Sequence, residues 1–224
     1  LTRGRPVIAI DGPSGVGKST VARSLADKLG FRYINTGAMY RALALAADEA
    51  GIDVADNESM KEFCASVRLG FDKAKNAIII NNGDFSAEVK TQKAGSLASV
   101  SSANPSVREL LVSFQRSLGK DGGIVMEGRD IGTVVFPDAE LKIFLDASLE
   151  VRAERRHLEL KGERETKADV SAEIQERDRR DTERKESPLK MAEDAVRIDT
   201  SELGIFDVVE MAFDCARKAG LVVK

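Results

Sequence analysis

Val7-Ile-Ala-Ile-Asp-Gly-Pro-Ser-Gly-Val-Gly-Lys-Ser-Thr20 opens on a continuous apolar, β-branched run, breaks at glycines, and passes into apolar spacing at Val21, Leu25 and Leu29. That order reads as strand, loop, helix. Gly12 to Ser19 fits G-x-x-x-x-G-K-S/T in the strand-to-helix context that gives the pattern its meaning. Glycines let several backbone N–H groups converge on phosphate oxygens, and the helix that follows adds the positive end of its dipole. Lys18 is expected to reach the β- and γ-phosphates of a nucleoside triphosphate, and Ser19 to offer its hydroxyl to Mg²⁺, a hard ion that prefers oxygen. The expected cradle is therefore Gly12, Pro13, Ser14, Gly15, Val16, Gly17, Lys18, Ser19 and Thr20, with Thr20 mainly supporting the helix. A plain glycine turn opening a helix leaves Lys18 and Ser19 unexplained.

Working outward, short apolar runs at 31–34, 124–126, 141–145 and 196–198 read as further strands, and the last three look like buried parallel ones. Helical patterns cover 37–50, which Gly51 would stop, then 58–66, 91–101 and 105–119, a charged stretch after Asp146, and the C-terminus. Alternating strands and helices imply an α/β fold: a P-loop NTPase-type doubly wound parallel sheet of about five strands, in a single domain over 1–224. Between 67 and 90 the pattern changes. Residues 77–80 and 84–89 flank Asn82-Gly83, a hairpin signal, so a small antiparallel insert is expected there. Residues 150–187 are dense in Arg and Glu, with Glu173/Arg177 and Glu176/Arg180 at helical spacing, and Pro188 is expected to end the second helix of that region.

Composition narrows the class. The chain has 224 residues, 42% hydrophobic and 32% charged, with a net charge of −3, an ordinary soluble balance that argues against generic nucleic-acid affinity. Cys64 and Cys215 are far apart and show no metal-ligand spacing, so buried free thiols in a reducing cytoplasm are expected. The apolar run that ends at Asp11 is too short for a signal peptide, and no run approaches a membrane span. A cytoplasmic monomer with small-molecule partners, and neither nucleic acid nor membrane, is the expectation.

A P-loop alone fits a GTPase, a motor-type ATPase or a kinase. The guanine-reading Asn-Lys-x-Asp is absent, whereas Arg41, Arg108, Arg129, Arg152, Arg155, Arg156, Arg177 and Arg184 stand at predicted strand ends and in the charged region. Phosphoryl transfer between two nucleotides needs such cations, because the acceptor is itself an ionised phosphate and catalysis rests on positioning and charge neutralisation. Arginine's planar, permanently charged fork suits this. Arg177, Asp181 and Arg184 fall at i, i+4 and i+7, so a helix would present them together. A solvated, ion-paired helix explains any single arginine there equally well, but the cluster favours a mobile cationic lid that excludes water until both substrates are bound. His157 reads as a surface residue, residues 78–80 as sheet core, and Tyr33, Met39 and Tyr40 as packing.

Four blocks together resemble bacterial cytidylate kinases: Ile8-Ala-Ile-Asp-Gly-Pro-Ser-Gly-Val-Gly-Lys-Ser-Thr20, Thr36-Gly-Ala-Met-Tyr-Arg41, Gly128-Arg-Asp-Ile-Gly-Thr-Val-Val-Phe-Pro-Asp138 and Lys142-Ile-Phe-Leu-Asp-Ala-Ser148. The likeness extends to the run from Glu176 to Arg184. It implies ATP-dependent phosphorylation of CMP or dCMP. By matching position it implies Thr36, Arg41 and Arg129 at the acceptor phosphate, joined by Arg184 on closure. It also implies Ser99, Arg108 and Asp130 at the cytosine, Arg177 and Asp181 at the ribose, and Arg155 and Arg156 at the transferring phosphoryl group. Lys18, Arg129, Arg155, Arg156 and Arg184 are thus the expected catalytic set. Two positions depart from the family's usual pattern, Asn35 and Glu127, where aspartate is more common. Two other readings remain open at this level: a P-loop kinase for a different nucleotide or small metabolite, and a nucleotide-switched module whose arginines in 150–187 dock RNA or an acidic partner.

Overall fold

β1 (Val7–Asp11) is buried at every position because parallel strands flank it on both sides. The structure is a computed structural model, and it describes residues 4–159 and 166–222. After β1 come α1 (Lys18–Leu29), β2 (Arg32–Asn35), α2 (Thr36–Glu49) and α3 (Asn57–Ser66). Then follow β3 (Leu69–Asp72), β4 (Ala77–Ile80), β5 (Gly83–Asp84), α4 (Gln92–Ser101) and α5 (Pro105–Gly119). The rest is β6 (Ile124–Gly128), β7 (Leu141–Asp146), α6 (Leu149–Glu159), α7 (Lys167–Glu183), β8 (Val196–Asp199) and α8 (Ile205–Lys218).

The large sheet has the order β2-β6-β1-β7-β8. Asp11 pairs with Gly128 on one side and Phe144 on the other, so the loops after β1, β6 and β7 all leave from the same, C-terminal edge, where doubly wound folds bind ligands. The alternation of β1 decides which side chains face which layer. Ile8 and Ile10 join Val21 and Leu25 of α1 and Val208 and Ala212 of α8 in one buried cluster, leaving Asp11 to the opposite face. This sheet and its helices form one compact unit, the chain up to Tyr33 and from Asp121 onward; Ile34–Lys120 forms the other.

Within the second unit α2 packs on α4 and α3 on α5. The caps are local and legible: Asn35 accepts from the Ala38 N–H to start α2, Thr91 from Ala94 to start α4, and Asn104 from Ser106 and Val107 to start α5, with Pro105 in its first turn. The region 67–90 lies inside this unit and holds a three-stranded antiparallel sheet, β3-β4-β5. Ile78 and Ile80 are buried and Ile79 only partly, the period-two pattern of a strand with one covered face.

Three local expectations are corrected. The hairpin turn is Asn81-Asn82, not Asn82-Gly83: both asparagines have left-handed φ, 48° and 69°, and Gly83 already pairs with Ile80. Asparagine tolerates that conformation well enough to make a two-residue turn of this type. The strand expected over 84–89 stops at Asp84 and gives way to a 3₁₀ turn at Glu88–Lys90. Likewise α7 ends at Glu183, before Pro188: Arg184 turns extended (ψ 141°) and Ser187 takes a left-handed φ of 50°. Of the expected lid, residues 160–165 lie outside the described residues.

Asn104 also donates through its amide to Asn57, at 3.2 Å from the carbonyl oxygen and 3.0 Å from Oδ1. Asn104→Ala therefore removes the acceptor of the Ser106 and Val107 N–H groups together with the bonds to Asn57, and is expected to cost about 2 kcal/mol. The readout is a lower urea midpoint at unchanged slope. Asn104→Asp, which keeps the cap but loses the donor, should fall between.

Candidate functional site

The phosphate loop begins where β1 leaves the sheet. At Gly12 (φ +150°) an added Cβ would sit 2.2 Å from the Leu145 carbonyl oxygen, so no other residue lets the loop pass under β7. Gly17, at left-handed φ 91°, caps α1 without a side-chain acceptor. The first N–H groups of that helix therefore remain for an anion. Lys18 curls back over the loop, its Nζ donating to the Pro13 carbonyl at 2.5 Å. Burial, reinforced by the nearby Arg129 charge, holds its ammonium pKa well below the ordinary lysine value. An anion bound beside it would favour the charged ammonium.

Two carboxylates stand beside this loop. Asp11 accepts from the backbone N–H of Ile131 at 2.9 Å and of Gly132 at 2.7 Å. Glu127, at the end of β6, accepts from the Tyr33 hydroxyl at 2.5 Å. Tyr33 is in turn hydrogen-bonded to the Ser19 side chain, and the Arg23 guanidinium lies 4.6 Å from its ring centroid. Burial first, and Glu127 second, push the Tyr33 phenol above its usual pKa, so it stays a protonated donor. Tyr33 is thus more than packing: it links the Ser19 hydroxyl to Glu127.

The structure brings Arg129, Asp130, Asp181 and Arg184 together. Arg129 Nε donates to Asp181 Oδ2 at 2.9 Å, and Arg184 lies 3.6 Å from Asp181 and 3.8 Å from Asp130. Arg184 is held there by a bond of its own, Nε donating to the Ser187 carbonyl at 2.7 Å. It reaches Asp130 from the extended residue after α7 and not from the helical face. Burial acts to raise the Asp181 pKa, but the charges of Arg129, Arg177 and Arg184 outweigh it and hold the carboxyl below its ordinary value. Asp181 and Arg184 side chains are only 7% and 6% exposed, unlike Arg179, whose pairs with Glu176 and Glu183 are solvated and fit the ion-paired-helix reading.

The other expected lid arginines are engaged elsewhere. Arg155 donates to Thr200, to the hydroxyl at 2.9 Å and the carbonyl at 2.6 Å, and Arg156 pairs with Glu159 at 3.1 Å. Arg152 is buried against the phosphate loop. It donates to the carbonyls of Ala147 and Ser14, both at 3.1 Å, and to Asp178. Asp178 also accepts from the Ser14 N–H at 3.2 Å. The sequence contained Arg152 among its arginines but gave no reason to join it to Asp178 and Ser14, since these residues are far apart in the chain.

The remaining expected residues belong to the second unit. Thr36 starts α2 and is buried. Arg41 donates to the Val89 carbonyl at 3.4 Å. Arg108 donates to the Ser102 carbonyl at 3.4 Å and lies 5.6 Å from the Tyr40 ring centroid. The Ser99 hydroxyl is buried with no hydrogen-bond partner among the described residues, a state that suits a ligand contact. Asn35 is the cap of α2, a task aspartate performs equally well. Cys64 is buried and Cys215 half-buried, and both are free. Half-buried His157 has no place among these groups.

A phosphate cradle at the C-terminal edge of a parallel sheet, with arginines and carboxylates buried beside it, defines a P-loop kinase fold. Shikimate kinase from Bacteroides thetaiotaomicron shares that fold at 13% identity and a TM-score of 0.50, covering 95% of this chain and 98% of its own. Residues 8–218 match the family model described as cytidylate kinase. The cytidylate kinase of a Geobacter species is 47% identical over 92% of this chain and 90% of its own, and that of Methylococcus capsulatus 46% over 92% and 94%. The chain belongs to the cytidylate kinase family.

Arg129→Ala leaves Asp181 buried with fewer counter-charges and is expected to cost about 3 kcal/mol. Asp181 now stabilises the fold above its unfolded pKa, and that contribution is lost as pH falls through its lower folded value. In the variant the folded value rises, so acid unfolding followed by circular dichroism should begin at higher pH.

Proposed function

We propose that this enzyme transfers the γ-phosphoryl group of ATP to CMP and dCMP, giving ADP with CDP or dCDP. The observation that carries the reading is the cluster of Arg129, Asp130, Asp181 and Arg184 buried beside the phosphate loop, in a chain of the cytidylate kinase family. An oxygen of the acceptor phosphate attacks the γ-phosphorus as the bond to the β–γ bridging oxygen breaks. The acceptor is already ionised, so no strong base is needed. Gly12 to Thr20 hold the donor phosphates, with Lys18 released from the Pro13 carbonyl to reach them. Arg129 and Arg184, with Thr36 and Arg41, hold the acceptor phosphate. Ser99, Arg108 and Asp130 read cytosine, Asp130 accepting from the exocyclic amine, where uracil would turn a carbonyl toward a carboxylate. Arg177 and Asp181 hold the sugar.

The donor set fits Mg²⁺: a serine hydroxyl in the first turn of α1 and, one tyrosine away, a carboxylate, all oxygen ligands. Ser19 would hold the ion and Glu127 would face its waters, and the ion would neutralise charge across the β- and γ-phosphates. Arg155 and Arg156 would join the transferring group once freed from Thr200 and Glu159, on a lid made of α6 and α7. The region 67–90 serves the acceptor side. No helix among the described residues is long and apolar enough to cross a membrane, and a cytoplasmic monomer without nucleic-acid partners accords with the composition.

The test is coupled ADP formation with a panel of nucleoside monophosphates. CMP and dCMP should exceed UMP, and equal rates with CMP and UMP would remove the cytosine assignment. Asp130→Asn should reduce that preference by about tenfold or more, as expected when a polar recognition pair is mismatched. Lys18→Ala should lower kcat by about 10²–10³, the scale of losing one positioned transition-state charge.

A further inference from the structure

We propose that Asp11 is a positioning residue: its carboxylate ties the phosphate loop that it precedes to the turn that aims Arg129 and Asp130 at the acceptor. The inference rests on the proposed CMP kinase reading and adds a residue to it.

Beyond Asp130 (φ −146°, ψ 24°) the chain makes one π-helical turn, Ile131–Val135. Val134 and Val135 donate back to the Asp130 carbonyl at 2.8 and 3.2 Å, and Phe136 to that of Ile131 at 2.7 Å. As at any helix start, the first N–H groups have no partner within the turn. Those of Ile131 and Gly132 are buried, and the two oxygens of Asp11 take one each. A buried ion is tolerated only when its acceptor capacity is met, so Asp11 and the turn specify each other's place. Asp130 immediately precedes those two donors, and Arg129 precedes Asp130. A shift of the Asp11 carboxylate is therefore passed through the backbone to the acceptor groups, while Gly12, its other neighbour, is pinned beneath the Leu145 carbonyl. The contact is close-fitting: a Cβ on Gly132 would lie 3.4 Å from Asp11 Oδ2 and 3.1 Å from Cδ of Lys142.

Charge around Asp11 comes from Asp130 ahead of the turn and Lys18 on α1, with Lys142 on β7, whose ammonium is held by Asp194 and the Pro137 carbonyl. Burial, the largest influence, pushes the Asp11 carboxyl up to about 6 against the lowering effect of the two N–H bonds. Above that pH both oxygens accept. Below it one becomes a hydroxyl, and one N–H loses its acceptor.

Asp11→Asn makes the same exchange permanently with almost no change in volume. The expected result is a split. kcat/KM for CMP falls about tenfold or more, the cost of misplacing a recognition group, while KM for ATP stays within about twofold, since the loop itself is retained. Nucleotide phosphates titrate near the same pH, so the second readout is the ratio of wild-type to Asn-variant kcat/KM. That ratio should shrink as pH falls from 8 to 5. If the variant does not fold, amide exchange in the wild-type protein decides: Ile131 and Gly132 should lose protection below pH 6, beyond the change at Ile124 and Val125 of β6. An Asn variant with unaltered CMP kinetics, a pH-independent ratio, or wild-type amides with no selective loss would overturn the role of Asp11. Wild-type enzyme inactive toward CMP would instead remove the functional reading, and the Asp11 role with it.

Discussion

The approach of the Leu145 carbonyl to Gly12 constrains everything built on the sheet edge. With 2.2 Å between that oxygen and the position of an absent Cβ, the chain can leave β1 only as glycine, and only in that direction. The loop then has to close onto α1, so its N–H groups converge instead of pairing along a strand. α1 is held by its apolar face, Val21, Ala22 and Leu25 buried against the sheet. A loop suited to phosphate is in this sense a by-product of packing: its N–H groups converge where no strand can pair them.

The second constraint is electrostatic. Lys18, Asp11, Glu127, Asp130 and Asp181 are all buried, and burial of unpaired charge is costly. Each of them has a protein partner. Lys18 rests on a carbonyl, Asp178 rests on a loop N–H, and Arg155 rests on Thr200. Neutral acceptors such as the Pro13 carbonyl and Thr200 hold a cation in place at little cost to release, because a charge-assisted bond to an anion is stronger. By contrast Asp11 accepts two buried N–H bonds from the turn, and Asp181 accepts from Arg129 with Arg184 close by, and these contacts frame the site.

Regular elements were legible because their signals are local. β1, α1 and α5 follow from apolar runs, periodicity and caps a few residues away, and α5 spans the expected 105–119. The misplaced hairpin turn at Asn81-Asn82 shows the limit: either asparagine or glycine can adopt left-handed φ, so the choice fell to strand register, which is set by the burial of Ile78 and Ile80. The early end of α7 has the same origin. Nothing adjacent stops the helix at Glu183; the pull of Asp130 and Asp181 on the Arg184 side chain accompanies the break.

By itself the sequence determined the glycine-rich loop between β1 and α1 and the parallel α/β class, because each depends on residue type at short spacing: glycines for a turn, apolar runs for buried strands, caps for helices; the groups expected to touch substrate rest on the resemblance to cytidylate kinases. Only the tertiary structure decided how the charges are shared. That Arg152 and Asp178 grip Ser14, that Tyr33 joins Ser19 to Glu127, and that Asp11 anchors the turn after Asp130 depend on pairs between 14 and 164 residues apart. Such pairs carry no periodic signature, and they form because burial on folding leaves each group no water to bind and one suitable partner within reach.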